Sequence, residues 1–176
     1  MYKGYSINVL EQTDHYDEIE NPLYLFLENH DAMLYFNRRS VRYDVSLQSI
    51  VDKLMGKSLE DYLNENYKYW RKIYFYSHST MELSLTPYND QFDSGLYGIV
   101  VCDKKVDVSL EDSIEETNAL FRGEVYMYKI MNPSGEEIES AYGFIGQNSI
   151  DVIIEECKNI IDITIVDGWC KNVKDS

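Results

Sequence analysis

A chain of 176 residues with 31 Asp and Glu against 16 Lys and Arg carries a formal net charge of −15 and a pI near 4.5. That surplus repels phosphate, which argues against nucleic acid as a direct ligand and for a positively charged partner. The 44% hydrophobic content is enough to build a core in a chain of single-domain length.

The N-terminus, Met1-Tyr2-Lys3-Gly4-Tyr5, lacks the apolar core of a signal peptide, and no stretch approaches a membrane span, so a cytoplasmic location is expected. β-branched and aromatic residues predict strands over 3–11, 23–28 and 32–38, with Asn29-His30-Asp31 as a turn. Ser46 and Ser58 are placed to cap helices over 47–55, ended by Gly56, and 59–70. Strands are predicted at 73–76 and 81–86, Pro87 starts a loop, and 96–103 reads as a buried strand. Ser109-Leu110-Glu111-Asp112 has capping-box spacing and predicts a helix to about Phe121. Residues 125–131 and 137–145 form a hairpin around Asn132-Pro133-Ser134-Gly135. Ile150, Ile153, Ile154, Cys157, Ile160 and Ile161 recur at helical spacing and predict an amphipathic helix over about 149–161, with Asp151, Glu155 and Glu156 outside. The expectation is one α+β domain over 1–176, with a mainly antiparallel sheet holding both 96–103 and the hairpin, and three to four helices packed on it. Within it, 1–45 is β-rich, 46–72 helical and basic, and 73–167 sheet and helices. There is no internal repeat and no linker long enough to divide the chain.

Charge is arranged in blocks. Residues 1–37 hold seven acids and one base, 38–72 five acids and eight bases, and 106–176 fifteen acids and five bases. The basic block pairs within the fold or meets the acidic face of a second copy, which admits a homodimer. Cys102, Cys157 and Cys170 are odd in number and form no CxxC pair, which argues against disulfides or a zinc site and for a reducing compartment. Sixteen tyrosines supply rings for the core and hydroxyls for an interface.

Candidates for chemistry are few. His78 lies fifteen residues before Asp93, so a base and a carboxylate could converge across neighbouring strands, with Ser94 as nucleophile. Ser94, however, lacks the flanking glycines of a nucleophile elbow. His15, Asp17, His30 and Asp31 match no tetrahedral or oxygen-rich metal spacing. Gly143 and Gly146 precede no Lys-Ser/Thr and do not form a phosphate loop. Arg38, Arg39 and Arg42 suit a phosphate or carboxylate, with pairing inside the fold the simpler reading. No cofactor, metal or catalytic residue is expected from these patterns.

Several segments together resemble a family of small acidic proteins carried by phages and integrative elements of Gram-positive bacteria. They are Tyr76-Ser77-His78-Ser79, Asp93-Ser94-Gly95 followed by Gly98-Ile99-Val100, Gly123-Glu124-Val125-Tyr126, and Gly135-Glu136-Glu137 leading to Gly143-Phe144-Ile145-Gly146. Phe92 stands where that family usually has Trp, and Ala141-Tyr142 where it has Cys-Trp, which argues against cysteine-dependent chemistry. The resemblance implies a mobile element that must survive host defences, and it carries no activity with it. Charge and resemblance together lead to the expectation of a non-enzymatic inhibitor in a bacterial host cell. It would bind a basic, nucleic-acid-handling defence protein, such as a CRISPR effector or restriction enzyme, by imitating phosphates. The carboxylates expected to do so are Asp107, Glu111, Asp112, Glu115, Glu116, Glu136, Glu137, Glu139, Glu155 and Glu156. The alternatives are a small hydrolase using His78 and Asp93, or an interaction module of phage replication or packaging.

Overall fold

Alternating apolar side chains build two sheets, each covered by helices, so the protein is α+β. The computed structural model describes residues 1–13, 18–36, 45–90, 92–106 and 109–174, of which 45 and 167–174 by backbone alone. Where the sequence reads as one sheet, there are two, and by contacts the chain clusters into two compact units: Met1–Ile19 with Gly123–Ser176, and Glu20–Arg122.

The Glu20–Arg122 unit contains α1 (Pro22–Asn29), β2 (Met33–Phe36), β3 (Val45–Ser46), α2 (Gln48–Val51), α3 (Leu59–Asn66), β4 (Tyr69–Ser77), β5 (Met81–Ser84), β6 (Ser94–Cys102) and α4 (Leu110–Phe121). Its strands run in the order β3-β2-β6-β4-β5, antiparallel except for the short β2–β3 pair. Successive strand residues serve opposite faces. Leu34, Phe36, Ile73 and Val100 meet α1 and α4, while Tyr35, Ile99 and Val101 meet Ile50 of α2 and Leu63 of α3. Because β6 is buried on both faces, it reads as a continuous apolar run. Gly98 lets β2 approach, since a Cβ there would lie 2.7 Å from the Tyr35 carbonyl oxygen.

The strand expected over 23–28 is instead α1. Asn21 accepts the Leu23 N–H at 2.9 Å, Pro22 takes the first turn, and Leu23, Phe26 and Leu27 are buried at i, i+3 and i+4. Two further boundaries differ. α2 is one turn rather than 47–55, although Ser46 does accept the Gln48 N–H at 3.2 Å. α3 stops at Asn66, since Tyr67 is extended (φ −131°, ψ 145°) and Tyr69 already begins β4. Ser58 caps α3 through the Asp61 N–H at 3.1 Å. Ser109 precedes α4 as expected, but its hydroxyl donates to Glu111 instead of closing a capping box.

The second unit pairs β1 (Ser6–Glu11) with β7 (Val125–Met131) and β7 with β8 (Glu137–Ile145), all antiparallel, and lays α5 (Ser149–Lys174) on one face. Ile153, Cys157 and Ile161 are fully buried against Tyr126, Tyr128 and Ile130. The β7–β8 turn forms as expected, with the Asn132 side chain accepting the Ser134 and Glu136 N–H groups at 2.9 Å. The hairpin does not share a sheet with β6. β1 takes the open side of β7, and β6 has both of its sides filled by β2 and β4. Helix α5 continues thirteen residues beyond the expected end at 161.

One buried contact closes the outer strand of the five-stranded sheet. The Asn118 side chain accepts the Leu83 N–H at 2.7 Å and donates to the Leu83 carbonyl at 2.9 Å, as a further strand would. Replacing Asn118 by Ala leaves both main-chain groups of Leu83 without their partner in a site 2% exposed. Denaturant unfolding should register a loss of about 2–4 kcal/mol. A loss below about 0.5 kcal/mol would show that the amide is dispensable.

Candidate functional site

His78 follows β4 and Asp93 precedes β6, and the antiparallel β4–β6 pairing brings them together, with the Ser77 N–H donating to the Asp93 carbonyl at 2.8 Å. His78 Nδ1 lies 3.2 Å from an Asp93 carboxylate oxygen, with side chains 73% and 41% exposed. The Asp90 carboxylate accepts the Asp93 N–H at 3.0 Å and the Phe92 N–H at 2.8 Å. Those two bonds, Asp93 first, hold the Asp90 carboxyl below its ordinary range. Ser94 donates its hydroxyl to the Asp90 carbonyl. The hydroxyl thus closes the turn, and His78 and Asp93 meet in solvent, where such a pair contributes little. Phe92 projects from this turn at 95% exposure, a feature that its place among turn-forming residues does not reveal.

The acidic candidates divide between the two units. Glu111, Asp112, Glu115 and Glu116 are all exposed on α4, at spacings that form one face opposite Leu110, Ile114 and Asn118. Glu136, Glu137 and Glu139 are exposed at the start of β8, and Glu155 and Glu156 on α5 with Asp151. Asp107 lies outside the described residues, as do Arg38, Arg39, Arg42, His15 and Asp17. Of the nine described positions, three form ion pairs: Glu115 with Arg122 at 3.3 Å, Glu137 with Lys129 at 3.4 Å, and Glu155 with Lys158 at 2.5 Å. By sequence, the unit made of 1–19 and 123–176 holds fourteen acids and five bases, and the other seventeen and eleven, so the smaller unit is the more strongly charged. The basic block is partly spent internally, through Lys57–Glu65 and Lys72–Glu60.

Asp31 and His30, considered above as metal ligands, both have structural contacts. Asp31 pairs with Lys104, which holds its carboxyl below the ordinary range, and the ring of His30 lies against Phe26, tilted by 55° with centroids 4.7 Å apart. Among the described residues, no three His, Cys, Asp or Glu side chains are grouped to hold a metal. Burial pushes the Cys157 thiol up to about 11 and the Tyr128 phenol up to about 12, with Glu156 adding to both. Neither group is ionised near neutral pH. No described helix is long and apolar enough to cross a membrane. Comparison with family models, with curated proteins and with solved structures finds no match.

Replacing His78 or Asp93 by Ala should change stability by less than about 1 kcal/mol, as for other exposed pairs. Thermal melts read this directly. A hydrolytic turnover lost in both variants, with melting unchanged, would establish a catalytic pair instead.

Proposed function

We propose that this chain is a non-enzymatic inhibitor from a phage or other mobile element. It binds a basic, nucleic-acid-handling defence protein of its bacterial host, of the CRISPR-effector or restriction-enzyme kind, in the groove that otherwise holds nucleic acid. The observation that carries this reading is the exposure of all nine described candidate carboxylates, with only three neutralised by an ion pair. Exposed carboxylates can take up the Lys and Arg positions that such a groove offers to phosphates. Duplex DNA presents about 24 charges over roughly 40 Å, a line charge that the 31 acidic residues here match only where one face holds most of them. The resemblance to mobile-element proteins points to the same setting. A hydrolase built on His78 and Asp93 is the second reading, and the 3.2 Å contact between them is what favours it.

Because the acidic groups lie in two units, their contributions separate. Changing Glu111, Asp112, Glu115 and Glu116 together to Lys tests α4, and changing Glu137, Glu139, Glu155 and Glu156 tests the other unit. At least one set should weaken inhibition of DNA binding by the defence protein by roughly two orders of magnitude, while single reversals do little. Binding should fall steeply with salt, and DNA should compete. The mimicry reading fails if both sets leave inhibition intact, or if the partner holds this protein and its DNA together.

A further inference from the structure

The five-stranded sheet is covered unevenly. Ile73, Phe75 and Leu83 pack in the core formed with α1 and α4, so Tyr74, Tyr76, Glu82 and Ser84 point to the opposite face. Helices α2 and α3 cover that face at one end: their core takes Trp70, Ile99 and Val101, and the cover runs as far as Lys72, which pairs with Glu60 of α3. Beyond it, Tyr74, Tyr76, Tyr88 and Leu96 are half-buried and join none of the apolar cores formed among the described residues. Strand register sets these side chains beside one another. Tyr76 lies opposite Glu82 on one flank and Ser94 on the other, and Tyr74 opposite Ser84 and Leu96. The ring of Tyr88 leans on that of Tyr76, with centroids 5.6 Å apart and planes 33° apart. Burial, and after it the Glu82 carboxylate, pushes the Tyr88 phenol up.

We propose that this patch seats an arginine side chain of the basic protein partner, the guanidinium stacked on the Tyr76–Tyr88 ring pair and held by the Glu82 carboxylate. A planar cation that stacks on rings and donates hydrogen bonds in its own plane matches rings set beside a carboxylate, whereas the ammonium of a lysine is more tightly hydrated and has no plane to stack. Charge favours the same occupant. Lys72, next along this face of β4, is already paired with Glu60, and His78, past the end of the strand, meets Asp93 at 3.2 Å. An anion would face Glu82 on a chain that carries −15. The inference rests on the function proposed above for the nature of the partner alone. Its groups are separate from the acidic faces of α4 and α5, and it adds a contact of another kind, through rings as well as charge.

Titrating the whole chain with hexa-arginine and, separately, with hexa-lysine, while NMR follows the ring signals of Tyr76 and Tyr88, tests this without the defence protein. Hexa-arginine should move both rings, and at raised salt, where plain charge attraction is screened, it should bind more tightly than hexa-lysine. Tyr88→Leu should weaken hexa-arginine by roughly twofold to fivefold and bring the two peptides together. Glu82→Gln, which keeps the rings, should weaken it to a similar extent. Rings left unmoved in the wild-type chain, or hexa-lysine bound as tightly as hexa-arginine, would overturn the proposal, and neither result depends on a variant that folds. The two readings fail separately. Moved rings with inhibition intact after both acidic-face changes would sink the mimicry and keep the arginine seat, and unmoved rings with inhibition lost on an acidic-face change would do the reverse.

Discussion

The pairing of β1 with β7, from Ser6 opposite Met131 to Glu11 opposite Tyr126, is the contact on which the architecture depends. It ties the first residues of the chain to the last third and makes everything from Glu20 to Arg122 an insertion. Closing so long a loop is costly if the insertion is unfolded, and cheap if folding has already joined its ends. Within the inserted unit the ends are joined: Asn21 accepts a hydrogen bond from Thr117 at 3.2 Å, and the Leu23 N–H donates to Thr117 at 3.1 Å. α1 and α4 therefore bring the entry and exit of the insertion side by side, as tolerated insertions generally require.

Much of the element content was legible because it is written locally. The strands 6–11, 81–84, 94–102, 125–131 and 137–145 and the helices beginning at Leu59, Leu110 and Ser149 all lie within or close to the segments that periodicity and turn residues indicate. What failed was tertiary or competitive. Leu23 to Leu27 are apolar enough for a strand, and the Asn21-Pro22 helix start decided the matter. Sheet membership is invisible to local pattern, since nothing in Ser6–Glu11 names Val125–Met131 as its partner. The Asn118 clamp was equally hidden, because a buried asparagine on a helix looks like any other polar position until Leu83 is beside it.

The candidate site was legible as chemistry and not as geometry. The sequence reading places Glu111, Asp112, Glu115 and Glu116 at helical spacing, and they do share one exposed face of α4. That Glu136 to Glu139 and Glu155 to Glu156 belong to a different compact unit follows only from the three-dimensional contacts. The smaller unit, with fourteen acids against five bases, builds its core without charge: α5 meets the sheet through isoleucines, a cysteine and tyrosines that need no charged partner.

The discontinuity of the first unit also sets an order on biosynthesis. Val125 leaves the ribosome 114 residues after Glu11, a delay of about 6–23 s at usual elongation rates of about 5–20 residues per second. Throughout that interval the nascent chain displays a strand with no sheet, while the intervening segment can already fold. Ile7 and Val9 are the side chains that later enter the core, and Ser6 and Asn8 lie on the other face with Leu10. Polar residues on the other face keep a waiting strand from finding the wrong partner. β1 is thus made well before its partner strand and is among the last elements to be placed.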